Sequence, residues 1–164
     1  MSSESPLKGK SILVVDDEPD VLETVGEELD MCLVDKAPDY NTAMQYLASY
    51  TYDVVILDIM GVNGFDLLQN AVDRGFPAVM LTAHALTPDA LKKSIKLGAV
   101  SFLPKDKMSE LRPFLEDVVL GGGKPVWKKF FESLGSYFNK RFGPDWVEKD
   151  KFFKEFKEEV LKQS

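Results

Sequence analysis

Three carboxylates and one ammonium stand where apolar runs of this chain end. Asp16 and Asp17 follow the run 12–15, Asp58 follows 54–57, and Lys105 comes after 99–103. Short apolar runs of this kind read as buried strands. In open α/β sheets, ligands bind beyond the carboxyl ends of the strands. Gathered on one such edge, the four side chains describe a site for a hard cation with a counter-charge beside it. Mg²⁺ takes oxygen ligands and keeps several waters, so two or three carboxylates suffice to hold it. The corresponding chemistry is that of a group that holds Mg²⁺ and accepts a phosphoryl group. Each residue also has a plainer reading. Asp16 and Asp17 suit a helix start, Asp58 suits a turn, and a lysine such as Lys105 is commonly a solvated surface group. The conjunction of all four favours the site.

To meet, these residues need a sheet. Strand-like runs at 11–16, 32–37, 53–58, 78–82 and 99–103 alternate with amphipathic stretches at 19–31, 41–50, 64–74, 88–97 and 108–120. Leu67, Leu68, Ala71 and Val72 illustrate the helical spacing. Pro19 and Pro88 suit the first turn of a helix, where a missing N–H costs nothing. The runs Ile12-Leu13-Val14-Val15 and Val54-Val55-Ile56-Leu57 are apolar throughout, as strands covered on both faces are. The expected fold is α/β: a five-stranded parallel sheet, doubly wound, followed by a short α-helical extension.

Of the 164 residues, 45% are apolar and 11% aromatic, enough for one packed domain and an appendage. A net charge of -7 argues against a general nucleic-acid binder. Residues 1–120 carry 20 acidic and 10 basic side chains, whereas 121–164 carry 7 and 10. That reversal marks a boundary near Gly121. The expected organisation is a flexible N-terminus over 1–10, a domain over 11–120, a Gly-rich hinge over 121–126 and a helical extension over 127–164. The single cysteine, Cys32, rules out an internal disulfide and suits a reducing compartment. No run of about 18 apolar residues is present, and residues 1–10 lack the apolar centre of a signal peptide. A cytoplasmic location is expected.

Beyond the glycines, Trp127, Phe130, Phe131, Leu134, Phe138 and Phe142 follow a helical stripe. Gly143-Pro144 interrupts it, and Phe152, Phe153, Phe156 and Val160 suggest a second short helix, so a helical hairpin is expected. The stripe suits internal packing, a homodimer or partner interface, or a membrane surface. Lys128, Lys129, Lys140 and Arg141 favour the last; Glu132, Glu158 and Glu159 weaken it.

Over residues 10–120 the chain resembles the response-regulator receiver domains of two-component signalling. The carriers are Val14-Val15-Asp16-Asp17-Glu18, Ile56-Leu57-Asp58-Ile59-Met60, Leu81-Thr82-Ala83 and Phe102-Leu103-Pro104-Lys105. The resemblance implies the flavodoxin-like receiver fold, with Asp58 as phosphoacceptor. It implies Mg²⁺ held by Asp16, Asp17, Asp58 and the Met60 carbonyl, and Lys105 paired with Asp58. Thr82 and Phe102 would be the switch pair, and Met60 and His84 would flank the phosphoryl group and tune its lifetime. The implied donor is a sensor histidine kinase or phosphotransfer protein. The expected output is contact with a downstream protein in which the tail takes part. Two positions depart from the family pattern: Gly61 follows Met60 where proline is frequent, and Pro104 precedes Lys105 instead of following it. That leaves open the isomer of the Leu103–Pro104 bond.

Two further readings stand beside this one. A pseudo-receiver would bind its partner without phosphorylation, although Asp16, Asp17, Asp58, Thr82 and Lys105 are all present. A small Mg²⁺-dependent phosphohydrolase would use Asp58 as nucleophile but wants an acid two residues later, where Met60 stands. The expected function is a phosphoacceptor signalling domain, not an independent enzyme.

Overall fold

The computed structural model describes residues 5–59, 62–82, 87–125 and 127–162, without the side chains of 128–131, 133 and 134. Five strands, β1 (Ser11–Val15), β2 (Leu33–Ala37), β3 (Val54–Asp58), β4 (Ala78–Thr82) and β5 (Ser101–Pro104), form one parallel sheet in the order β2-β1-β3-β4-β5. Helices α1 (Pro19–Glu28), α2 (Tyr40–Ser49), α3 (Gly64–Asp73), α4 (Pro88–Leu97) and α5 (Leu111–Leu120) connect and cover it. The chain runs outward from β1 to β2 and returns to β3 on the other side. The order therefore reverses between β1 and β3, which opens a crevice at their carboxyl ends.

Strand alternation sorts the core into two layers. Ile12, Val14, Val54, Ile56, Val79 and Leu81 pack with Leu22, Val25, Leu111 and Leu115 of α1 and α5. Leu13, Val15, Val55, Leu57, Met80 and Phe102 face Leu47, Leu67, Leu68 and Leu91 of α2, α3 and α4. Every residue of β3 and β4 is buried, which explains the uninterrupted apolar runs. Two helix starts are capped by side chains: Asp39 accepts from the Thr42 amide and Thr87 from the Ala90 amide.

The α/β expectation holds, with β4 and α4 at the expected bounds. The last helix of the domain starts later than the apolar spacing suggests. A 3₁₀ segment, Lys105–Glu110, precedes α5. Pro113 explains the shift, because proline lacks an N–H and is tolerated only in the first helical turn. The N-terminal segment expected to be flexible is, from Ser5 onward, packed under the sheet. Leu7 is fully buried, the Gly9 amide donates to the Met31 carbonyl, and Ser5 Oγ donates to Glu116 at 2.7 Å. The Leu103–Pro104 bond is trans, as are all peptide bonds among the described residues.

After α5, Gly122 and Gly123 turn the chain with positive φ. A Cβ on Gly123 would meet Pro77 Cγ at 2.7 Å, so the glycine is a packed turn as well as a helix stop. The tail is then α6 (Trp127–Phe142), a single turn α7 (Trp146–Lys149) and α8 (Lys151–Lys162). The expected hairpin thus contains an extra turn. Gly143, at φ 97, ends α6. Asp150 starts α8 afresh by accepting the Phe152 amide at 2.8 Å and the Phe153 amide at 3.3 Å.

Candidate functional site

Backbone register sets the positions of the site residues. Val15 pairs with Leu57, so Asp16 and Asp58 leave the sheet side by side. Asp58 pairs with Leu81, and Thr82 with Pro104, so Thr82 and Lys105 arrive on the same edge. The start of α3 lies close against the end of β3. A Cβ on Gly64 would stand 2.1 Å from the Asp58 carbonyl oxygen, and Asn63 adopts the left-handed conformation at φ 55. The first turn of α3 can back onto β3 only because residue 64 has no side chain.

At this edge the Lys105 ammonium bridges two buried carboxylates. It lies 2.8 Å from Asp16 Oδ2 and 3.2 Å from Asp58 Oδ1, with Glu18 Oε1 at 3.4 Å. Asp16 is fully buried, Asp58 and Thr82 are buried, and Asp17 and Glu18 are exposed. Asp16 Oδ1 accepts the Glu18 amide at 2.9 Å. Asp16 Oδ2 has the lysine at ion-pair distance but no well-directed hydrogen bond. The short distance marks an attraction, and its angle leaves that oxygen able to take a further ligand. Capping does not account for Asp16 and Asp17. The N-cap of α1 is Glu18, without a side-chain cap bond.

Electrostatics point the same way. Burial, reinforced by the charge of Asp16 and opposed by Lys105, pushes the Asp58 carboxyl up to about 6. Burial also raises Asp16, against the pull of Lys105 and the Glu18 amide. Burial alone would lower Lys105, but its ion pairs with Asp16 and Asp58 outweigh that, and it stays firmly protonated. Two carboxylates sharing one ammonium leave negative charge uncompensated, and Asp17 and Glu18 add to it. Carboxylate oxygens of Asp16, Asp17 and Glu18 lie within 4.8 Å of one another. Hard oxygen donors, surplus negative charge and an under-satisfied buried oxygen suit a small divalent cation.

The residues expected from sequence thus converge: Asp16, Asp17, Asp58, Thr82 and Lys105 share one edge. Phe102 lies one strand layer back, fully buried, with its ring edge-on to Phe138 of α6 at 6.4 Å. Met60 and His84 lie outside the described residues, as do the side chains of Phe130, Phe131 and Leu134. Trp127 and Phe138 are buried within the chain. Sequence reasoning missed Glu18 as a third acidic arm and a partner of Lys105, although its place after Asp16-Asp17 was a usable signal. It also missed Asp106, next to Lys105, which accepts from Tyr137 Oη at 3.3 Å and lies 3.9 Å from Arg141.

The family model for the response regulator receiver domain matches residues 12–116, well over half of the chain. The chain belongs to the response regulator receiver family. It is 36% identical over 104 residues to the response regulator Rre1 of Synechocystis sp., covering 58% of this chain and 45% of that protein. It is 34% identical over 103 residues to the two-component response regulator ARR18 of Arabidopsis thaliana, covering 59% of this chain and 16% of that one. The chain therefore spans less than half of the length of either relative. A response regulator from Thermotoga maritima superposes with a TM-score of 0.61 at 20% identity, over 68% of this chain and 98% of that structure. The chemotaxis protein CheY4 of Vibrio cholerae gives 0.61 at 24%, over 67% and 98%. These likenesses bear out the flavodoxin-like fold, and the family match ends at residue 116, before the tail helices. Receiver domains of this family work with histidine kinases or phosphotransfer proteins. No helix among the described residues is long and apolar enough to cross a membrane.

Proposed function

We propose that Asp58 accepts a phosphoryl group from a phosphohistidine donor, with Mg²⁺ bound at the acidic edge, and that the chain signals through protein contacts. The single observation that carries this is the Lys105 ammonium shared between buried Asp16 and Asp58 at the switch point of the sheet. Asp16, Asp17 and Asp58 would hold the cation, with the Met60 carbonyl as a further donor. Bound there, Mg²⁺ would neutralise charge between an anionic nucleophile and an anionic phosphoryl group.

Asp58 Oδ attacks phosphorus in line. The new P–O bond forms as the P–N bond breaks, and the bonding pair returns to the imidazole nitrogen of the donor. The product is an acyl phosphate. Reaction requires the carboxylate form, which burial beside Asp16 disfavours and a bound cation would favour. Lys105 then follows the transferred charge from Asp58 to a phosphoryl oxygen, a preorganised stabilisation at the point where charge develops. Thr82 offers a hydroxyl to another phosphoryl oxygen. Return to the resting state is attack of water on phosphorus, which releases the Asp58 carboxylate, inorganic phosphate and a proton.

Intact-mass measurement tests this. Incubation with Mg²⁺ and acetyl phosphate or phosphoramidate is expected to add one phosphoryl group to the wild type and none to Asp58→Asn. Undiminished labelling of Asp58→Asn would sink the assignment. No label on either protein, and no beryllofluoride binding, would leave a receiver that works without phosphorylation. Steady turnover of a phosphomonoester would make it a hydrolase.

A further inference from the structure

The tail is held at two places, and both belong to elements that come straight from the site. On β5 and the 3₁₀ segment that follows, Phe102 meets the Phe138 ring, and Asp106 holds Tyr137 and Arg141. Asp106 is the next residue after Lys105. On α4, the helix that follows Thr82 and the short loop after β4, Lys92 Nζ is 2.6 Å from Asp150 Oδ2. The Lys92 ammonium also lies over the rings of Phe152 and Phe153, and that of Lys96 over Phe152. Between these anchors Phe138, Trp146 and Phe153 form a continuous buried aromatic cluster. The α6 helix thereby covers β5, the edge strand of the sheet. An uncovered edge is a liability, so a static cover is the plain reading.

Three features go beyond a static cover. Lys105 is fixed from one side by Asp16 and Asp58 and is bonded through the chain to the Asp106 anchor. The segment between them and α5 is six residues of 3₁₀ helix with a non-helical kink at Lys107. The kink divides it into two short turns, so the segment is not a rigid continuation of α5. The aromatic contact of Phe102 with Phe138, finally, is made with Asp58 unmodified.

We propose that the α6–α8 unit is an internal cover of the β5–α4 face that loosens when Asp58 carries a phosphoryl group. This rests on the reading of Asp58 as phosphoacceptor. Phosphorylation of Asp58 removes the carboxylate that Lys105 pairs with at 3.2 Å and places new charge farther out. Lys105 follows that charge and takes the start of the 3₁₀ segment with it. Asp106 and Phe102 shift against Tyr137, Arg141 and Phe138, and a close-packed contact tolerates such a shift poorly. The face of β5 and α4 is then exposed to a partner. Linkage is reciprocal: if phosphorylation weakens docking, docking must weaken occupancy of the site.

The full-length protein with Mg²⁺ and beryllofluoride, a stable mimic of the phosphoryl group, tests both directions. Bound fluoride is followed by fluorine NMR, and amide exchange is followed across 127–162. The expected result is faster exchange in α6–α8 on binding, with greater quenching of Trp127 and Trp146, the only tryptophans and both in the tail. Bound fluoride with unchanged or slower tail exchange overturns the proposal and leaves the phosphoacceptor reading intact. Absence of bound fluoride defeats both. In the reverse direction, Phe138→Ala is expected to tighten beryllofluoride binding about tenfold, within the usual range of coupling between sites. Lys92→Met removes only a partly exposed anchor and should shift affinity the same way by a smaller factor. It serves as the check if Phe138→Ala fails to fold. Loosened tails with unchanged affinity in either variant would reduce the unit to a passive cover.

Discussion

The acidic edge and the aromatic tail are both reached from β5, and they are held by different means. At the edge, the backbone decides. Val15–Leu57, Asp58–Leu81 and Thr82–Pro104 are register pairs, and the side chains that follow them cannot drift apart unless the sheet comes undone. In the tail, side chains decide. Phe138, Trp146 and Phe153 are buried against one another and against Phe102, with the Lys92–Asp150 pair at the rim. A ladder of hydrogen bonds makes a rigid frame for chemistry, whereas a surface docked through rings can detach as a unit.

Cavities placed in the two regions should therefore have different consequences. Leu57 is fully buried in the central strand, and Leu57→Ala is expected to cost about 2–5 kcal/mol of global stability. Urea unfolding would show it as a lower midpoint for the whole domain. Phe153 is equally buried but belongs to the tail. Phe153→Ala is expected to raise amide exchange over 127–162 while β1, β3 and β4 keep their protection. Equal loss of protection in the strands would mean that tail and sheet are one cooperative unit, and the distinction would fall.

The edge can be probed by pH. Asp58 rises from 3.8 to about 6 in the folded chain. Between those values the folded state holds a proton that the unfolded chain has released. Stability from this group is thus full below about 4, declines as pH rises through about 6, and is level above. A rise of about two units corresponds to about 3 kcal/mol. Comparing wild type with Asp58→Asn in metal-free urea titrations isolates the slope from other carboxylates, some of which shift the opposite way, such as Asp150. Added Mg²⁺ should flatten it, because a cation stabilises the carboxylate form. A difference between the two proteins that does not vary with pH would show that Lys105 already compensates Asp58 in full.

What could be read from sequence follows the same division. Periodicity and the apolar strand runs report backbone elements, so the sheet and the strand-end positions of Asp16, Asp58, Thr82 and Lys105 were visible in advance. Boundaries slipped where a single residue governs, as Pro113 does for α5. Glu18 escaped because spacing shows which residues share an edge but not which exposed carboxylate turns toward Lys105. The tail stripe was legible as a stripe, yet its partner was not. Nothing in Phe138 or Asp150 says that Phe102 and Lys92 lie opposite, since those contacts join residues distant in the chain and depend on packing alone. The tail turn at Trp146 was missed for a local reason: Asp150 starts a new helix by accepting the Phe152 and Phe153 amides.

Asp150 offers the finest test of a region held by side chains. One oxygen, Oδ1, caps α8 by accepting the Phe152 and Phe153 amides, and the other, Oδ2, pairs with Lys92 of α4. The bond to Lys92 holds its carboxyl below the usual range, as expected for a working pair. Asparagine is as good a cap as aspartate, so Asp150→Asn removes the pair and keeps the cap. Asp150→Ala removes both. The asparagine variant is expected to loosen α8 against α4 by about 0.5 kcal/mol, the modest worth of a partly exposed pair. The alanine variant should cost about 1 kcal/mol more through the lost cap. Site-resolved amide exchange separates the two, because only the alanine variant should unravel the first turn of α8. If both variants behaved alike, the cap would contribute nothing and docking on Lys92 would be what orders α8, making the helix itself a product of the contact with the receiver.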